Sequence, residues 1–131
     1  MRCIRTFRDL VVWRKAFELC LDVYRITEGF PDRERYGMVT ELRKTARSVL
    51  YNIAEGHKRF STLAYVRFLD IADGSAAELE TQFYLSKALS YLDDQSWEML
   101  VQRLLEVERM LAALKRSLRK RLALPPPPTN P

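Results

Sequence analysis

The sequence predicts an all-α protein, an antiparallel up-down-up-down four-helix bundle. Helix breakers are missing from most of the chain, apolar residues recur at three and four positions in four long stretches, and the connections between those stretches are short. The chain has 131 residues with 4 glycines and 6 prolines, and apart from Pro31 the prolines are Pro125 to Pro128 and Pro131. Apolar residues make up 47% and charged residues 30%, a globular balance in a chain long enough to bury a core without staples. One bundle is expected over 9–122, between a basic N-terminal tail (1–8) and a Pro-rich C-terminal tail (123–131).

The first helix is expected from Leu10 to Glu28, with Asp9 as N-cap and Trp13, Ala16, Phe17, Cys20 and Tyr24 at helical spacing. Gly29 can take a left-handed terminal position, and Pro31 prevents continuation. The second helix is expected from Gly37 to Gly56, with Met38, Leu42, Ala46, Val49 and Ile53 as its buried stripe. Ser61 can cap a third, running to about Leu92 with Tyr65, Phe68, Leu69, Ala72, Ala76, Leu79 and Phe83 inward. Within it, Gly74 and Ser75 form part of a small-residue run. A mid-helix glycine costs about 1 kcal/mol relative to alanine, which predicts close packing by another helix, in the bundle or across a subunit contact. The fourth helix begins near Ser96. Its Trp97, Leu100, Leu104, Val107, Leu111, Leu114 and Leu118 are spaced 3, 4, 3, 4, 3, 4, a heptad seam suited to a crossing near 20°.

Charge is unevenly divided along the chain. Residues 1–59 carry 13 Lys and Arg against 8 Asp and Glu, residues 60–114 carry 4 against 9, and residues 115–131 carry 5 against none. Two basic segments thus flank an acidic middle, which favours an electrostatic partner or pairing of opposite faces between copies.

The residues give little to catalysis. His57 is the single histidine, and its neighbours Gly56 and Lys58 offer no metal ligand. The Glu-x-x-His pairs of di-iron bundles and the glycine-rich phosphate loops do not occur. No catalytic, cofactor or metal residue is therefore expected. Asn52, Glu55, Glu78, Glu80 and Gln82, with Thr81, are expected to form a hydrogen-bonded network between the second and third helices, tied by Arg43 or Arg47. No apolar run reaches the roughly 18 residues of a membrane span and no signal peptide is visible. Cys3 and Cys20 read as free thiols of a cytoplasmic protein.

The cations fall into groups that a phosphate backbone would reward through counterion release. Lys115, Arg116, Arg119, Lys120 and Arg121 lie within seven residues, more than dipole compensation requires. Arg43, Lys44, Arg47, Lys58 and Arg59 form a second group, and Arg2, Arg5 and Arg8 a third. No groove-reading module is present, so binding would follow shape and charge.

Several motifs resemble a known family. Phe7-Arg8-Asp9-Leu10-Val11-Val12-Trp13-Arg14-Lys15-Ala16, Asn52-Ile53-Ala54-Glu55-Gly56, Arg67-Phe68-Leu69-Asp70-Ile71-Ala72-Asp73-Gly74-Ser75 and Glu78-Leu79-Glu80-Thr81-Gln82 resemble the bacterial 23S rRNA intervening-sequence proteins, in order, over about residues 7–92. That family resembles the accessory variability determinants of diversity-generating retroelements. The resemblance implies a ring-like homopentamer and, for the retroelement members, a basic surface that binds nucleic acid and a reverse transcriptase. Lys58 stands where many relatives have glycine. The expected function is a non-enzymatic, oligomeric adaptor for RNA, with a protein-interaction oligomer that binds no nucleic acid as the alternative.

Overall fold

The computed structural model describes residues 4–122; Arg2, Cys3 and the Pro-rich tail lie outside them. Among the described residues there are four α-helices: α1 (Val11–Thr27), α2 (Met38–His57), α3 (Thr62–Ala88) and α4 (Asp94–Arg121). Each sequence-adjacent pair packs together, α4 closes on α1, and the diagonal pairs do not approach one another. This is the four-helix bundle that the periodicity implies.

Side-chain pairs show the antiparallel register, Arg43 with Glu28 and Arg47 with Tyr24 marking it between α1 and α2. Between α1 and α4, Lys15 pairs with Glu106 at 3.4 Å and, further along, Asp22 pairs with Arg103. Between α3 and α4, Lys87 meets Asp94 at 3.1 Å while Asp70 meets Lys115 at 3.1 Å. Consequently the start of α1, the end of α2, the start of α3 and the end of α4 share one end of the bundle.

The core is one cluster running the length of the bundle. Leu42, Val49 and Ile53 of α2, Leu69, Ala72, Ala76, Leu79 and Phe83 of α3, and Leu100, Leu104, Val107 and Leu111 of α4 are almost wholly buried. Truncating one of these leucines to alanine would cost about 2–5 kcal/mol. Along the α4 seam, Trp97 and Leu114 are half-buried at its edges and Leu118 is buried. In α1 the buried stripe is Val12, Ala16, Leu19, Cys20 and Val23. Phe17, expected in that stripe, is instead 41% exposed and stacks on Trp13 with ring centroids 5.1 Å apart.

Three helix ends differ from the sequence expectation. Asp9 caps one step earlier than expected: its carboxylate accepts the Arg5 and Thr6 amides at 2.9 and 3.2 Å and closes a 3-10 turn, Phe7–Asp9. Thr6-x-x-Asp9 is a capping box, which outcompetes Asp9 as the cap of α1. Gly29 is not left-handed, since α1 closes through tight bonds from Gly29 to Ile26 and from Phe30 to Thr27. The left-handed residue is Ser90, at φ 65°, and it ends α3 at Ala88 rather than near Leu92. Its amide reaches Lys87 O and that of Tyr91 reaches Ser86 O, the paired bonds of a Schellman ending.

At Gly74 the close approach is not made within the bundle: among the described residues nothing lies within 4 Å of where its Cβ would stand. Close approach occurs at Gly56 instead, where a Cβ would lie 2.9 Å from Phe68 Cβ and 2.9 Å from Tyr65 Cδ1. Gly56 is therefore a buried contact inside α2, which continues to His57, and not its terminator.

Candidate nucleic-acid interface

The α2–α3 polar seam forms from a different set of residues than the carboxylate network expected. Gln82 donates to Thr45 Oγ1 at 3.1 Å, Ser48 and Ser75 share a 2.7 Å hydrogen bond, and Asn52 donates to the Ser48 carbonyl at 2.8 Å. Glu55 and Glu78 are exposed and stay outside it. Glu80 faces α4, where it meets Glu108. Burial, the Glu80 carboxylate beside it and the more distant Asp73 push Glu108 up to about 7. Its Oε1 is buried without a partner among the described residues.

Arg43 and Arg47 do not tie this seam, because their positions on α2 face α1. Arg43 donates to Thr27 Oγ1 at 2.9 Å, to the Tyr24 carbonyl at 3.2 Å and to Glu28 at 3.0 Å, with its guanidinium 4.7 Å over the Tyr24 ring. Arg47 donates to the Tyr24 hydroxyl. Both are integral to the α1–α2 joint. Lys44 is exposed beside a shallow α2–α3 groove that also holds Glu41 and Glu78.

Of the α4 cations, Lys115 is the one most enclosed, its side chain 14% exposed between Asp70 and Asp73. Burial alone would lower its pKa, but the two carboxylates outweigh burial and hold it above the ordinary lysine value. Arg119 leans on Asp70 at 3.7 Å. Arg116, Lys120 and Arg121 are exposed, and among the described residues none of them meets a carboxylate within 4.0 Å.

The register gathers the remaining cations around these three. The end of α2 presents Lys58 and Arg59, likewise exposed and without a carboxylate partner among the described residues. Arg59 lies 4.5 Å over the Phe68 ring, which orders its guanidinium while its edge stays open. Arg121 is close enough to Tyr65 on α3 to act on its ionisation, which ties the end of α4 to the start of α3. Arg5 and Arg8 precede α1 at this same end, and their turn also packs on α2. Arg43 stands 15 residues before Lys58, about 22 Å away along the helix. The second basic group of the sequence is thus divided, with Arg43 well away from Lys58 and Arg59.

His57 packs edge-on to the Tyr65 ring at 5.8 Å. Among the described residues, no three His, Cys, Asp or Glu side chains are arranged to hold a metal ion, and no helix is long and apolar enough to cross a membrane. Cys20 is buried, and burial raises its thiol pKa. Phe60, which the heptad pattern leaves unassigned, stands fully in solvent in the α2–α3 turn. Its sequence signal is an aromatic placed between Arg59 and the Ser61 cap.

The family model of the 23S rRNA-intervening sequence protein matches residues 8–113. The chain belongs to that family. The family span covers α1, α2, α3 and most of α4, and it ends before the run from Lys115 to Arg121. In shape the chain is similar to a crystal structure of a protein of unknown function from the S23 ribosomal protein family of Bacteroides thetaiotaomicron. The TM-score is 0.75 at 20% identity, covering 81% of this chain and 96% of that one. At this identity the likeness shows the fold alone. No curated protein matches.

Proposed function

We propose that this intervening-sequence family member is a non-enzymatic RNA-binding adaptor that takes up the phosphate backbone at the basic end of its bundle. The observation that carries the reading is convergence. Lys58 and Arg59 are separated from Arg116, Lys120 and Arg121 by more than fifty residues of sequence, yet folding sets them at one end. Ordinary surface cations alternate with carboxylates, whereas these are left without such partners among the described residues, ready to replace a polyanion's counterions. Lys115 and Arg43, whose charges are engaged within the fold, serve it structurally.

The test is a salt titration of RNA binding. Replacing Lys58, Arg59, Arg116, Lys120 and Arg121 together by glutamine should weaken binding to a structured RNA and flatten the dependence of log K on log salt. The flattening should approach about 0.7–0.9 for each phosphate no longer neutralised. Equal affinity and slope in the variant would refute the assignment of this end.

Assembly of copies would be compatible with the same reading and would draw on a second surface. The outer face of α3 carries Ile71, Leu85 and Leu89 in solvent, on the side where Gly74 has nothing against it. A homopentamer, implied by the family resemblance, would cover such a face and repeat the basic end around an axis. A reverse transcriptase partner, implied for the retroelement relatives, would then bind on the assembled ring.

A further inference from the structure

We infer that Phe60 is a stacking platform for an unpaired base, so that the basic end selects single-stranded RNA over duplex. This rests on the reading of that end as an RNA site and names the form of RNA it takes. Phe60 has 108% of the reference exposure, the highest of any large apolar side chain among the described residues. Its ring gains nothing from the core, and a phenylalanine left wholly in water forgoes the stabilisation of burial.

Its setting makes the ring usable. The turn it occupies is held on both sides: Gly56 is pressed against Tyr65 and Phe68, and the Ser61 hydroxyl accepts the Ala64 amide at 3.2 Å to start α3. Phe60 is therefore displayed between two fixed helix ends rather than on a loose tip. Lys58 and Arg59 precede it directly, and Arg59 is steadied over Phe68 at 4.5 Å. The end of α4 adds Arg121 across the start of α3.

An aromatic face flanked by cations is the pairing that single-stranded nucleic acid uses, with bases stacked on rings and phosphates on the charges beside them. A-form duplex offers the phosphates but no free base face, because its bases are already stacked inside. Cations alone would bind both forms. The solvent-exposed ring adds a term that only an unpaired base can satisfy.

The experiment compares two probes of equal length by fluorescence anisotropy, a 12-nucleotide oligoadenylate and an RNA duplex, against the full chain. Phe60→Ala should weaken oligoadenylate binding about tenfold, leave duplex binding and the salt slope unchanged, and Phe60→Trp should restore the loss. Light scattering accompanies each variant. Loss of oligoadenylate binding in the five-cation variant, with Phe60→Ala at wild-type affinity, would overturn the stacking role while leaving the RNA reading intact. If the wild-type chain bound neither probe, both would fall. A changed particle mass in Phe60→Ala would overturn it differently, assigning the ring to a contact between protein copies.

Discussion

Glu108 shows how one side chain can set a property of the whole bundle. Its carboxyl lies in the α3–α4 seam beside Glu80, and burial together with that neighbour raises its pKa from 4.5 to about 7. A raised carboxylate pKa means the fold favours the neutral form. The contribution is therefore complete below about 4.5 and is lost as pH rises through about 7. The melting temperature should fall between pH 5 and pH 8. Glu108→Gln, neutral at every pH, should remove most of that slope and melt higher than wild type at pH 8; an unchanged slope would contradict the buried pair. Nothing in the sequence singles out Glu108, since α4 carries Glu106 and Glu108 two residues apart and the period alone does not say which turns toward α3. Arg43 poses the same difficulty in reverse: it counts with the cations because a sequence shows charge, while its bonds to α1 exist only after the helices pair.

At the scale of the helix, the close approach inside the bundle is made at Gly56 and not at Gly74. Gly56→Ala gains helix propensity of about 1 kcal/mol, but its Cβ would strike Phe68 and Tyr65, so a net loss of about 1–2 kcal/mol is expected in thermal or urea unfolding. Gly74→Ala meets no neighbour and should stabilise the isolated chain by about 1 kcal/mol. If the α3 outer face is a subunit contact, the same substitution should shrink the particle in light scattering. A particle of unchanged mass would count against that face. The helices themselves are readable from the residues: the α4 heptad, the Ser61 cap and the α2 stripe all stand where periodicity puts them. Ends are harder, because Asp9 turns back into a capping box with Thr6 instead of capping α1, and Ser90 adopts a backbone that its residue type does not advertise.

For the molecule as a whole, topology rather than any local motif assembles the basic end. Lys58 and Arg121 share an end of the bundle because two successive antiparallel turns return the chain to the same side, which charge counting along a sequence cannot display. Arg43 and the basic end should consequently be separable by mutation. Arg43→Gln should lower the melting temperature and leave RNA affinity near wild type, whereas Arg121→Gln should reduce RNA affinity and leave melting unchanged. A loss of RNA binding in both would mean that the cations act as one diffuse field.

Two helix starts and two helix finishes lie side by side at the basic end, so their macrodipoles largely offset one another. The positive potential there comes from side chains, and those on Lys58, Arg116, Lys120 and Arg121 hold no carboxylate among the described residues. Such a surface can be rewritten without touching the core: over evolutionary time, relatives with the same scaffold are free to acquire different partners by exchanging a handful of solvent-facing residues at one tip.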